Sequence, residues 1–299
     1  MKKVELSGWD PLEPTCGFGT PSEYARLKEI VINGLNPSEY NRLRKLRNSI
    51  DVDIWISVEG GYIVDLGLGS DIDDPISSIP PVVWEFERLK ELSLDRNEIK
   101  DVPDAIEKLK VLETLSLMDN KLTIFPESIS KVTSLKSLVL AGNDITSIPS
   151  SIGNLKRLRH LALSNNRLKT LPESIGELKS LNTFYLWDNE LEHLPEGIGG
   201  LDSLTETDVK NNRLKAIPDS IGNLKNLILF GLSDNRLERL PDEIGGMKSL
   251  KSLWLARNKL EELPKSLTNL KSLRTIQLIG NPIKMIPESL IKDSIRIII

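Results

Sequence analysis

Residues 158–178 read Leu158-x-x-Leu161-x-Leu163-x-x-Asn166-x-Leu168-x-x-Leu171-Pro172-x-x-Ile175-Gly176-x-Leu178. The same pattern restarts at Leu89, Leu112, Leu135, Leu181, Leu204, Leu227, Leu250 and Leu273, always 23 residues on and without insertion. Its ninth position is asparagine in each copy: Asn97, Asn120, Asn143, Asn166, Asn189, Asn212, Asn235, Asn258 and Asn281. Its fifteenth is proline in each, from Pro103 to Pro287. A degenerate copy, longer by three residues, begins at Ile63 and carries Leu66, Leu68, Ile79 and Pro80, with Asp71 in the ninth place.

Each fixed slot has a physical reason. Apolar residues at positions one, four and six, such as Leu250, Leu253 and Leu255, belong to a short strand whose inward side chains fill a core. One such strand cannot bury its face alone, so copies stack into a parallel sheet. The ninth residue lies where the chain turns inward. An asparagine amide has two donors and an acceptor, so it can satisfy turn groups cut off from water. Repeated nine times, these amides predict a ladder. Proline then directs an extended approach to the far side, and Ile-Gly-x-Leu gives a helical or 3-10 turn. The expected fold is an α/β repeat solenoid, curved, with its parallel sheet on the concave face and short turns on the convex one.

The pattern resembles the leucine-rich repeat family, of the intracellular kind with a Leu-Pro-x-x-Ile-Gly turn. Scribble-type and Ras-binding scaffolds, plant Ras-group-related proteins and many bacterial proteins share it. The resemblance covers about residues 62–295 and implies a protein-binding scaffold, with a small GTPase as one possible partner class.

Solenoid ends expose core and need caps. Thr20-Pro21-Ser22-Glu23 and Asn36-Pro37-Ser38-Glu39 are helix starts, each with a capping residue, proline at the first position and glutamate three after the cap. They predict helices over 21–32 and 37–49. Asp53–Val58 and Tyr62–Leu66 read as a hairpin around Glu59-Gly60-Gly61. Residues 1–61 are thus expected to form a small helical N-terminal cap, with an irregular segment over 1–19 and with Trp55 and Trp84 plugging the core. Residues 62–295 form the repeats. Ile295, Ile297 and Ile299 alternate, so 296–299 reads as the start of a further strand, uncapped and open to self-association.

Composition narrows the class. The net charge of −4 argues against nucleic-acid recognition, which needs a basic stripe. No apolar run spans a bilayer, and the opening residues are not a signal peptide. Cys16 is the only cysteine, and Asn36-Pro37-Ser38 is excluded as a glycosylation site. A reducing, cytoplasmic setting is expected, with an exported bacterial effector left open.

No catalytic constellation is visible, and neither cofactor nor metal is expected. His160 and His193 are the only histidines. Glu206 and Asp208 lie about 7 Å apart on one strand face, a spacing that reads more simply as a solvated acidic patch than as a glycosidase pair.

The variable slots point to binding. Positions three, five and seven face the concave surface, with position eight at its margin. There Asp65, Glu91, Asp95, Asp119, Asp188, Glu206, Asp208 and Asp234 oppose only Arg96, Lys210 and Arg257. Lysines recur instead at position 22 on the convex side, such as Lys156 and Lys225. Tyr185 and Trp187 share a strand, and Trp254 lies three strands on. Gly231, between Asp208 and Trp254, is expected to leave a shallow pocket. Leu229, Val139, Met118 and Ile279 add apolar area, and His160 belongs to the same face. Aromatics amid charges look like interface anchors for a protein with a basic surface. An effector or adhesin, the recognition part of a larger enzyme, and carbohydrate binding stacked on Trp187, Tyr185 and Trp254 are the alternatives.

Overall fold

The computed structural model describes residues 4–5, 34–50, 52–69, 75–291 and 295–299. The helix expected over 21–32 lies outside them. The strands are β1 (Val4–Glu5), β2 (Asp53–Glu59), β3 (Tyr62–Gly69), β4 (Glu91–Ser93), β5 (Thr114–Ser116), β6 (Ser137–Val139), β7 (His160–Ala162), β8 (Thr183–Tyr185), β9 (Glu206–Asp208), β10 (Leu229–Gly231), β11 (Ser252–Trp254), β12 (Thr275–Gln277) and β13 (Arg296–Ile298). They form one sheet in chain order. From β3 onward every pairing is parallel, and each step of the chain advances one strand. This is the concave sheet of a leucine-rich repeat solenoid, with 3-10 turns such as Glu173–Glu177 behind it.

From β4 on the strands are only three residues long, positions three to five, with one inward residue at position four and a second just beyond the strand at position six. Position four is fully buried along the array, as at Leu161, Phe184, Phe230 and Leu253, and so is position six, as at Leu163, Leu186 and Leu255. Thr207 breaks the leucine rule between Phe184 and Phe230; it is buried, and its hydroxyl donates to the Phe184 carbonyl at 2.8 Å.

The asparagine amides tie each repeat to the one before. In Asn189, Oδ1 accepts from the Leu168 N–H at 3.0 Å, while Nδ2 donates to the carbonyls of Leu163 at 2.9 Å and Leu186 at 3.0 Å. The backward bond from Oδ1 recurs at every one of the nine asparagines.

On the convex side the turns approach closely. A Cβ at Gly176 would come within 1.9 Å of the Gly197 carbonyl, and one at Gly222 within 2.2 Å of the Glu243 carbonyl. Glycine in the Ile-Gly pair is therefore required between these middle repeats, whereas Glu107, Ser130 and Thr268 stand in its place elsewhere.

The N-terminal end holds helix α1 (Pro37–Arg47), capped by the Asn36 side chain, which accepts from the Glu39 N–H at 3.1 Å. The reciprocal half of a capping box is missing. Glu39 is buried, with Oε1 bound by Arg42 at 2.5 Å and Oε2 accepting from the Ile63 N–H at 3.0 Å. This carboxylate fastens α1 to β3, while the Asn36 N–H donates to the Gly61 carbonyl instead. Gly60 and Gly61 both have positive φ, 57° and 82°, and close the β2–β3 hairpin.

Two features depart from the sequence reading. Val4–Glu5, inside the segment expected to be irregular, pairs antiparallel with Trp55 and Ile56. Trp55 is not a core plug: strand alternation sends it, with Ser57, to the concave side while Ile54 and Ile56 take the core. Trp84 is buried. At the far end, β13 pairs with β12 after a step two residues shorter than the regular repeat, Thr275 facing Arg296.

Candidate functional site

The concave positions of β7 to β11 place a connected polar and aromatic patch. Strand pairing sets Tyr185, Asp208, Gly231 and Trp254 side by side across four strands. Neighbouring strands are about 4.8 Å apart, so Tyr185 and Trp254 are about 14 Å from each other.

Contacts order the first half of this row. His160 Nδ1 lies 2.5 Å from Thr183 Oγ1, and its ring meets Tyr185 edge-on with centroids 5.7 Å apart. The Tyr185 hydroxyl donates to Glu206 Oε1 at 2.9 Å. Burial, then the bond to Glu206, push the Tyr185 pKa up, so it stays a neutral donor at physiological pH. Burial lowers the pKa of His160, which favours its neutral form. Trp187 is half-buried, and the exposed Lys210 ammonium stands 5.2 Å from its ring centroid. Trp254 and Leu229 are half-buried too.

Gly231 does not leave the shallow pocket expected beside Trp254. A Cβ there would lie 2.3 Å from Asp208 Oδ1, so the Asp208 carboxylate already occupies that space. Asp208 accepts from the Lys210 N–H at 3.0 Å. Burial nevertheless raises its pKa, opposed by Lys210 and reinforced by Asp188 and Glu206. A carboxyl raised in the folded state binds its proton more readily there than in the unfolded chain. Stability contributed by this group therefore falls as pH rises from its ordinary value of 3.8 through the raised one. Asp208→Asn, which keeps an acceptor for Lys210, is expected to raise the melting temperature at pH 7, with the gain shrinking as pH drops toward 4 (about the carboxylate range). Thermal scans over that range check it.

The acidity of the face is partly turn chemistry. Position eight adopts positive φ in all nine repeats: Arg96, Asp119, Gly142, Asn165, Asp188, Asn211, Asp234, Arg257 and Gly280. Only glycine, asparagine and aspartate take that conformation readily, which accounts for Asp119, Asp188 and Asp234 without a partner. Asp234 is also neutralised by the Arg257 fork, one arm of which spans 2.6 Å. Arg257 is thus engaged with its neighbour. Position seven is deeper than a surface slot in three copies, since Ala141, Ser164 and Ala256 are buried.

Among the described residues there is no group of three side chains suited to a metal ion, and no helix long and apolar enough to cross a membrane. His193 is exposed in the turn after the asparagine, beside Glu192, Arg213, Lys215 and Arg236 and away from His160.

Comparisons agree with the repeat. The leucine rich repeat model matches residues 87–145, 202–260 and 225–283, and a leucine-rich repeat region model matches 149–228. No curated protein matches. Among solved structures, the ectodomain of the Arabidopsis thaliana receptor kinase GASSHO1/SCHENGEN3, in complex with CASPARIAN STRIP INTEGRITY FACTOR 2, is 32% identical with a TM-score of 0.70, over 78% of this chain and 29% of the receptor chain. The plant peptide hormone receptor RGFR1, in complex with RGF2, is 30% identical with a TM-score of 0.69, over 80% and 39%. A TDR receptor is 28% identical with a TM-score of 0.67, over 75% and 40%. This chain therefore spans well under half the length of these receptor chains. Its repeat, its sheet and these matches together show that it belongs to the leucine-rich repeat family.

Proposed function

We propose that this chain is a protein-recognition module whose partner lies on the concave sheet, centred on Tyr185, Trp187, Glu206, Asp208 and Trp254. Residues 62–295 act as the recognition array and residues 1–61 close its first end. One observation carries the reading: Trp187, Trp254 and Tyr185 stand half-buried together at the middle of the concave wall, amid Glu206, Asp208 and Lys210. Large aromatics that a fold does not need for its core are the residue types that dominate interface energy. The structural neighbours solved with CASPARIAN STRIP INTEGRITY FACTOR 2 and RGF2 support a peptide or protein as the ligand class.

The partner's chemistry follows from charge. Asp208, Glu206 and Asp65 face the trough, and Lys210 is held against Trp187. A basic segment is drawn to such a surface and accelerated onto it at low salt.

The test is the double variant Trp187→Ala, Trp254→Ala. Both side chains lie outside the leucine core, so circular dichroism and the denaturation midpoint stay close to wild type. Recovery of the wild-type partner is expected to fall by at least about 100-fold, since each anchor is of the order of 2 kcal/mol. Unchanged recovery would remove the concave centre from the reading.

A further inference from the structure

At the N-terminal end of the same trough lies a cavity of about 270 Å³, lined by Trp55, Ser57, Asp65, Gly67, Glu91, Ser93 and Ser116 among others. It is smaller than sites for drug-sized ligands, which begin at about 300 Å³, and is scaled to one side chain. How it arises is legible residue by residue. The Trp55 ring lies over Gly67 and Gly69: a Cβ on Gly67 would come within 3.0 Å of it and one on Gly69 within 2.4 Å. Gly67 and Gly69 are thus the seat of this indole. Across the neighbouring strands, Ser93 and Ser116 continue the small floor, each turned onto Asp95; the Ser116 bond spans 2.5 Å.

The rim is negative. Asp65 faces Glu91 directly across the β3–β4 pair. Like charges opposed on adjacent strands repel, and neither carboxylate forms an ion pair among the described residues. The nearby cations are committed elsewhere: Lys90 holds Glu59 at 2.6 Å, and Arg88 stacks on Tyr62 at 3.6 Å. A further independent sign is Ser57. It lines this cavity and is only 2% exposed, yet its hydroxyl has no hydrogen-bond partner. Ser164, Ser174, Ser220 and Ser266 share that state, and of the five only Ser57 lines this cavity.

We infer that this cavity is a specificity pocket for an arginine side chain of the bound partner, its guanidinium stacked on Trp55 and forked onto Asp65 and Glu91. An aromatic face beside unpaired carboxylates matches a planar cation with donors along its edge. A lysine fits the charge but not the stacking or the fork. The inference rests on the concave-face reading for its partner, but the pocket itself is testable without one.

The probe is capped arginine, N-acetyl-arginine N-methylamide, titrated into the full chain. The readout is the set of five tryptophan indole N–H resonances, one of which is assigned to Trp55 by its loss in Trp55→Phe. The Trp55 resonance is expected to move saturably at about millimolar probe, the scale of a single weak contact set, while those of Trp187 and Trp254 stay put. Capped citrulline, the neutral counterpart, should leave it unmoved. Asp65→Asn with Glu91→Gln, which preserves shape, should weaken binding by about tenfold or more. Trp187→Ala with Trp254→Ala should not change it. No saturable shift at Trp55, or an equal shift with citrulline, overturns the pocket. Failure of the central double variant to affect partner binding overturns the other reading instead, so the two stand or fall apart.

Discussion

Asn189→Ala is expected to lower the stability of the array by about 1–3 kcal/mol, although it deletes only a small amide. The substitution strands one buried N–H, of Leu168, and takes one of two amide donors from the carbonyls of Leu163 and Leu186, which keep Asn166 and Asn212. A buried polar group left without a partner costs about 1–3 kcal/mol, and the Leu168 N–H has no other acceptor among the described residues. Two signatures separate this from a general loosening. Denaturation shifts its midpoint, and native-state hydrogen exchange at Leu168 accelerates while Ile99, held by its own asparagine at Asn120, keeps its protection. The second follows because repeats communicate chiefly with their neighbours. A loss under about 1 kcal/mol would mean that water enters the turn and satisfies the stranded N–H.

Phe230→Ala is the other large effect, expected at about 3–5 kcal/mol. Phe230 and Phe184 are fully buried at position four, on either side of the much smaller Thr207. The row therefore reads large, small, large where a regular array reads leucine throughout. Strand pairing sets both rings beside Thr207, so removing one opens a void next to a small residue that the short, pinned strands cannot collapse into. Because the sites touch, their effects are coupled. Enlarging Thr207 to leucine is expected to cost less in a Phe230→Leu background than in wild type, and urea midpoints of the four members of that cycle measure the difference. Equal costs in both backgrounds would show that the row does not pack as a unit.

These two cases mark where sequence reading succeeds and where it stops. The 23-residue step assigned every strand from Glu91 to Gln277 to its place, because a period that never slips leaves no freedom in register. The asparagine turns were legible for the same reason. Side-chain pairing was not. Gly231 looked like a hole, but whether a neighbour fills it depends on the rotamer of Asp208, which the pattern does not specify. The aspartates at position eight looked like a binding signal because backbone sign is invisible in composition; only their column of positive φ reveals the turn requirement. Trp55 was misplaced since tryptophan in a cap has a strong prior for the interior, whereas the glycines that receive it lie 12 and 14 residues further along, in a different strand. Glu39 was taken for one half of a capping motif, and local spacing holds no hint of the distant Ile63 that claims it.

The glycines at the rear of the middle repeats have a reach beyond their own contacts. Where Gly176 and Gly222 let successive turns settle almost backbone to backbone, the outer circumference shortens toward the fixed spacing of the inner strands. The bow flattens, and the trough in front widens into a long, shallow bed that an extended ligand can touch over many repeats at once. Thickening the spine by a methyl group at either glycine would bend the bed more tightly and alter the fit at Tyr185 and Trp254, with no atom of the bed itself replaced.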